Sequence, residues 1–91
     1  MADYLVRVEL HGASDDEYEV LHVQMASFGF YRTIQSTTGP SYPLPTGTYW
    51  GQSEYGGSAV IDFANAACNA VGKPRSIVAT ESMETWFYGL Q

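Results

Sequence analysis

Acid–base chemistry near neutral pH needs a group such as histidine, whose ordinary pKa is about 6.5, and this chain has two, His11 and His22. Arg7, Glu9 and His11 follow one another at a spacing of two. In a strand that spacing puts a cation, a carboxylate and an imidazole on one face, a set able to position a phosphodiester and move its protons. The same three residues also suit a solvated sheet face with an ion pair across strands. His22 stands beside Leu21 at the edge of an apolar stripe, where half exposure is expected. It can serve as a proton carrier there or as an ordinary boundary histidine. Trp50 can lie on the face of Arg7 and stack on a base, or belong to the core or a dimer interface.

Other groups carry less. Asp15, Asp16, Glu17 and Glu19 stand together, but carboxylates at the start of a helix are accounted for by capping and the helix dipole. No metal and no cofactor is therefore expected. Cys68 falls on an apolar ridge, which makes it a core thiol rather than a nucleophile. Zinc-ligand spacing, a phosphate-cradling glycine loop and a Ser/His/Asp order are all missing from the sequence.

The elements that must position these residues can be read in order. Asp3 to His11 alternates, with Tyr4, Val6, Val8 and Leu10 on one face and Leu5, Arg7, Glu9 and His11 on the other, which predicts a half-buried strand. Ser14-Asp15-Asp16-Glu17 is a capping box. It opens a helix with Tyr18, Leu21, Met25 and Phe28 on one stripe, ended by Gly29 in a left-handed conformation. Phe30 to Gln35 predicts a second strand. The stretch 36–47 carries three prolines and predicts a long irregular hairpin connection, since proline forbids a central strand or a helix there.

Thr48 to Glu54 predicts a third strand, with Gly51 at a bulge or a close backbone approach. Ser58 is the expected cap of a second helix whose ridge is Val60, Ala64, Ala67 and Val71, widened by Ile61 and Cys68. Gly72 stops it and Pro74 blocks continuation. Arg75 to Glu81 predicts a fourth strand. The aromatic tail, 82–91, is expected to pack as a short extra strand or turn, or to cover a partner. Strand, helix, strand, strand, helix, strand is the split βαβ or ferredoxin-like order. The expected fold is thus α+β: one domain over 1–91, an antiparallel four-stranded sheet with its first and third strands central, and both helices on one face.

Composition sets the outer limits. A chain of 91 residues supports one two-layer core. One cysteine excludes an internal disulfide, and neither a secretory leader nor an apolar run of membrane-spanning length is present, so a soluble, cytoplasmic protein with no membrane association is expected. The net charge of −6 sets ten carboxylates against Arg7, Arg32, Lys73 and Arg75. That balance disfavours a general DNA- or RNA-coating protein, and no DNA partner is expected. A transient nuclease, which needs only local cations, stays open.

Tyr4 to His11, then Tyr18, Leu21-His22, Met25, Gly29-Phe30 and Arg32-Thr33-Ile34, resemble the GhoS-type family of small bacterial and phage proteins. Tyr42-Pro43-Leu44-Pro45-Thr46-Gly47-Thr48-Tyr49 and the ending from Glu81 through Trp86 to Gly89-Leu90 continue the resemblance over nearly the whole chain. It implies a ferredoxin-like fold akin to small ribonucleases associated with CRISPR adaptation, and an antitoxin activity: an endoribonuclease that cleaves the messenger of a membrane-active toxin. In that family a basic side chain on the first helix is implicated in cleavage. Counting back from Gly29-Phe30, the matching position is His22, a change from arginine to histidine. The expected function is then metal-independent cleavage of a toxin mRNA. Arg7 and Arg32 would position the phosphodiester, and His22 or His11 would transfer protons. The alternative is a non-catalytic protein-binding or assembly module on the same scaffold. A homodimer is expected in either case, because an open sheet face, two sheet edges and an aromatic tail leave apolar surface to cover.

Overall fold

The computed structural model describes residues 1–36 and 38–91. Strand β1, Ala2–Leu10, alternates as its sequence requires, burying Tyr4, Val6, Val8 and Leu10. Helix α1 runs over Asp15–Ser27 and its capping box is complete: the Ser14 hydroxyl accepts from the Glu17 amide at 3.3 Å, and the Glu17 carboxylate accepts from the Ser14 amide at 3.0 Å. Gly29, with φ +87°, makes the turn out of α1 that a side-chain-bearing residue would resist. Leu21, His22 and Met25 form the buried stripe. Phe28, expected on it, instead stacks on Phe63 of the second helix with ring centroids 5.4 Å apart.

The second strand does not run from 30 to 35 as one piece. Strand β2 is Phe30–Tyr31, a bend falls at Arg32, and β3, Thr33–Gln35, turns away to pair with β4, Ser41–Pro43. The 36–47 connection is therefore a small hairpin rather than irregular throughout, and its residue 37 lies outside the described residues. Proline is compatible with this arrangement because a two-stranded ribbon has an outer edge that needs no further amide donors. The Leu44 amide donates to the Arg32 carbonyl at 2.6 Å, and Ile34 and Leu44 are buried.

Strand β5, Thr48–Ser53, leads through Gly56, the N-cap of helix α2, Gly57–Asn69. No side chain caps α2: Ser58 lies exposed one residue inside the helix, so the expected cap is corrected to Gly56. Val60, Ala64, Ala67 and Cys68 are fully buried, the alanines letting α2 sit close on the sheet, while Val71 follows the helix end. Strand β6, Arg75–Ser82, pairs with β1 along its whole length.

The main sheet has the order β2-β5-β1-β6, all neighbours antiparallel. Both helices bury their stripes against the face that carries Tyr4, Val6, Val8 and Tyr49, which is the expected ferredoxin-like arrangement. The tail after Ser82 adds no strand. Phe87 packs on Tyr42 at a centroid distance of 5.3 Å, while Met83, Trp86 and Tyr88 stay exposed.

Gly51 is a site of close approach, not a bulge. A Cβ there would run into the Gly29 carbonyl oxygen and the Phe30 ring, where β5 passes the end of α1. Gly51→Ala is expected to destabilise the fold by about 1–3 kcal/mol through overpacking. Urea denaturation checks this, and an unchanged midpoint would show that the contact yields freely.

Candidate functional site

The sheet face opposite the helices is open. The side chains of β1 that point there are Asp3, Leu5, Arg7 and Glu9, and the register aligns neighbours across it: Tyr31 with Trp50, Trp50 with Leu5, and Leu5 with Thr80. Tyr31 is half exposed and Trp50 partly buried, so this row offers flat aromatic surface to solvent. Arg7 stands two residues further along β1, opposite Val78, about 7 Å from the aromatic row along an extended strand. Among the described residues it has no hydrogen-bond or ion-pair partner. The other cations are engaged or remote. The Lys73 ammonium lies 3.5 Å from the Glu17 carboxylate, and the Arg75 guanidinium donates to the Lys73 carbonyl and to Asn65 and Asn69.

His11 closes the face at the far end of β1. Its Nε2 lies 3.0 Å from the Ser76 hydroxyl and 3.9 Å from the Glu9 carboxylate, and the ring is about half exposed. His11 lies in the turn just past β1, four residues along the chain from Arg7, and its contacts to Ser76 and Glu9 bring its ring to the open face. Arg7, Glu9, His11 and Trp50 thus share one face.

His22 does not join them. It is only 8% exposed, on the helix side of the sheet, and its Nδ1 lies 2.6 Å from the Tyr49 hydroxyl. Tyr18 flanks the ring at a centroid distance of 6.3 Å, and the Tyr18 hydroxyl accepts from the Leu10 amide. The expected half-exposed histidine is corrected to a buried one: the helix stripe is wide enough to take it in, and Tyr49 supplies the partner that burial demands. Burial lowers the His22 pKa, the positive charge of Arg32 lowers it further, and Glu19 opposes both. Burial likewise pushes the Tyr49 phenol up, which keeps it protonated and able to donate to Nδ1. Arg32, exposed at the bend between β2 and β3, lies near enough for its charge to act on His22 and Tyr49. The six sequence candidates therefore divide into an open-face group and a helix-side pair, His22 and Arg32.

The depressed His22 pKa has a testable consequence. Unfolded, the ring binds a proton at about pH 6.5, whereas folded it resists protonation. Its contribution is thus complete above that pH and lost as pH falls from there toward the folded value. Between about pH 7.5 and about pH 5.5, wild type should lose more unfolding free energy than His22→Phe, which cannot titrate. Equal losses in denaturant melts would contradict the assignment.

Two residues of the site escaped sequence reading. Tyr31 was accessible to it, since strict alternation after the buried Phe30 puts it on the open face. Tyr49 carried a signal for burial but none for its bond to His22, which lies 27 residues away in sequence.

No protein-family model matches this chain, and no curated protein matches it. Among the described residues no helix is long and apolar enough to cross a membrane.

Proposed function

We propose that this chain is a GhoS-like antitoxin, a metal-independent endoribonuclease that cleaves a toxin mRNA on its open sheet face. The observation that carries the reading is Arg7, a cation without a partner among the described residues, set beside the Tyr31–Trp50 row on a face no helix covers. Single-stranded RNA is held by stacking on such aromatics and by cations placed for its phosphates. Four of the ten carboxylates, those of Asp15, Asp16, Glu17 and Glu19, belong to α1 on the other side of the sheet, while Asp3, bonded to Gln52, and Glu9, beside His11, share the open face with Arg7. The whole-length resemblance and a ferredoxin-like fold support the same reading.

In this mechanism His11 accepts the proton of a ribose 2′-hydroxyl, whose oxygen attacks the adjacent phosphorus. The bond to the 5′-oxygen breaks, and that oxygen takes a proton from water or from the imidazolium. Arg7 offsets the charge that builds on the phosphoryl oxygens. The proposal places proton transfer on His11 rather than His22, since an imidazole so enclosed cannot meet a phosphodiester without opening the α1–β5 contact. Purified protein incubated with the transcript of a neighbouring toxin-like gene should cleave it equally with and without EDTA. No cleavage of any tested transcript would favour the protein-binding module, which the exposed Trp86 and Tyr88 of the tail support.

We also propose a homodimer. The outer edge of β6 is unpaired among the described residues, and Val78 on that strand is exposed. Light scattering at tens of micromolar should give twice the chain mass; a monomer mass would refute it.

A further inference from the structure

We propose, resting on the RNA reading above, that the cleft at the β2–β5 end of the open face takes one unpaired nucleobase carrying an exocyclic amino group. The cleft has a volume of about 450 Å³, within the range of sites for small organic ligands. Tyr31 and Trp50 supply its aromatic surface, and Thr33, Gln35, Ser41 and Gln52 its polar groups. None of these six side chains is charged, so their surface suits a base, and Met1, which also lines the cleft, brings an α-amino group that suits a phosphate of the same nucleotide. Arg7, the nearest same-face cation on β1, stands beyond Leu5, where the phosphate joined to a stacked nucleotide would fall.

The hydrogen-bonding pattern narrows the ligand. The Gln52 amide nitrogen donates to the Asp3 carboxylate at 2.9 Å, and a carboxylate only accepts, which fixes the amide with its oxygen free. The Gln35 amide nitrogen donates in the same sense to the Gly39 carbonyl at 3.3 Å. Among the described residues each glutamine has thus engaged one of its two N–H donors and left its amide oxygen unengaged. Two free amide oxygens match the amino groups of adenine, cytosine or guanine better than uracil, which has two carbonyl oxygens and a single N–H.

The test uses the Trp86→Phe protein, in which Trp50 is the remaining tryptophan, titrated with tetranucleotides of adenine, cytosine or uracil and with an abasic tetramer. Adenine and cytosine oligomers should quench Trp50 fluorescence and bind about 10-fold or more tightly than the abasic one, as expected from stacking. Uracil should bind about 2- to 10-fold more weakly than adenine, the worth of one hydrogen bond. Gln52→Leu, a change at an exposed residue, should erase that preference while quenching persists. Equal binding of the abasic tetramer, a preference for uracil, or no quenching would overturn the proposal. Base-dependent quenching without transcript cleavage would leave the subsite standing and remove the nuclease. Cleavage without base-dependent quenching would do the reverse.

Discussion

His11→Ala is expected to lower transcript cleavage by about 100- to 10,000-fold, the usual contribution of a general acid–base group, with little change in stability. The ring is half exposed and its contacts are to Ser76 and Glu9, both at the surface, so its loss leaves no buried group unpaired. The Ser76 hydroxyl and the Glu9 carboxylate bracket Nε2 and fix the ring at the end of β1. Ser76→Ala should accordingly give a smaller loss than His11→Ala, because it frees the ring without removing it. Cleavage rates for the two variants, with circular dichroism showing intact folds, check this. Full activity of His11→Ala would take the imidazole out of the mechanism.

The second large effect is on stability. Leu21 is fully buried at the centre of the α1 stripe, packed in one cluster with Met25, the core face of β1 and the α2 ridge. Leu21→Ala should cost about 2–5 kcal/mol, the transfer free energy of the lost atoms plus that of the cavity they leave. The upper part of the range is favoured by the neighbours, because Val6, Tyr49 and Val60 belong to separate elements that cannot all move inward. In urea the midpoint should fall with the slope unchanged. A midpoint equal to wild type would mean that α1 is held by some other face.

Much of this fold was legible because the signals were local. The capping box at Ser14 and Glu17 needs only four residues, and the alternation of β1 is readable wherever its sequence appears. The errors share the opposite property. Nothing near Arg32 announces that β3 leaves the main sheet, since that depends on Leu44 reaching back to the Arg32 carbonyl. Ser58 is a better cap by residue type than Gly56, yet the turn after β5 begins the helix two residues earlier. His22 was the most consequential case. Its exposure is decided by Tyr49, which the sheet, not the helix, brings to it. Alternation alone was enough to put Arg7, Glu9 and Trp50 on one face, and the same alternation that turns Tyr31 to that face after the buried Phe30 turns Arg32 away from it.

That separation allows a direct test of where the chemistry lies. Arg7 stands on the open face and Arg32 at the bend after β2, where its charge acts on the buried His22, and both are exposed arginines whose replacement leaves the core unchanged. The decisive measurement is therefore transcript cleavage by wild type, Arg7→Ala and Arg32→Ala side by side. An open-face mechanism predicts a loss of about 100-fold or more for Arg7→Ala, as for removal of a group that stabilises transition-state charge, with Arg32→Ala close to wild type. Loss of cleavage in Arg32→Ala with Arg7→Ala unaffected would contradict it and place the reaction on the helix side.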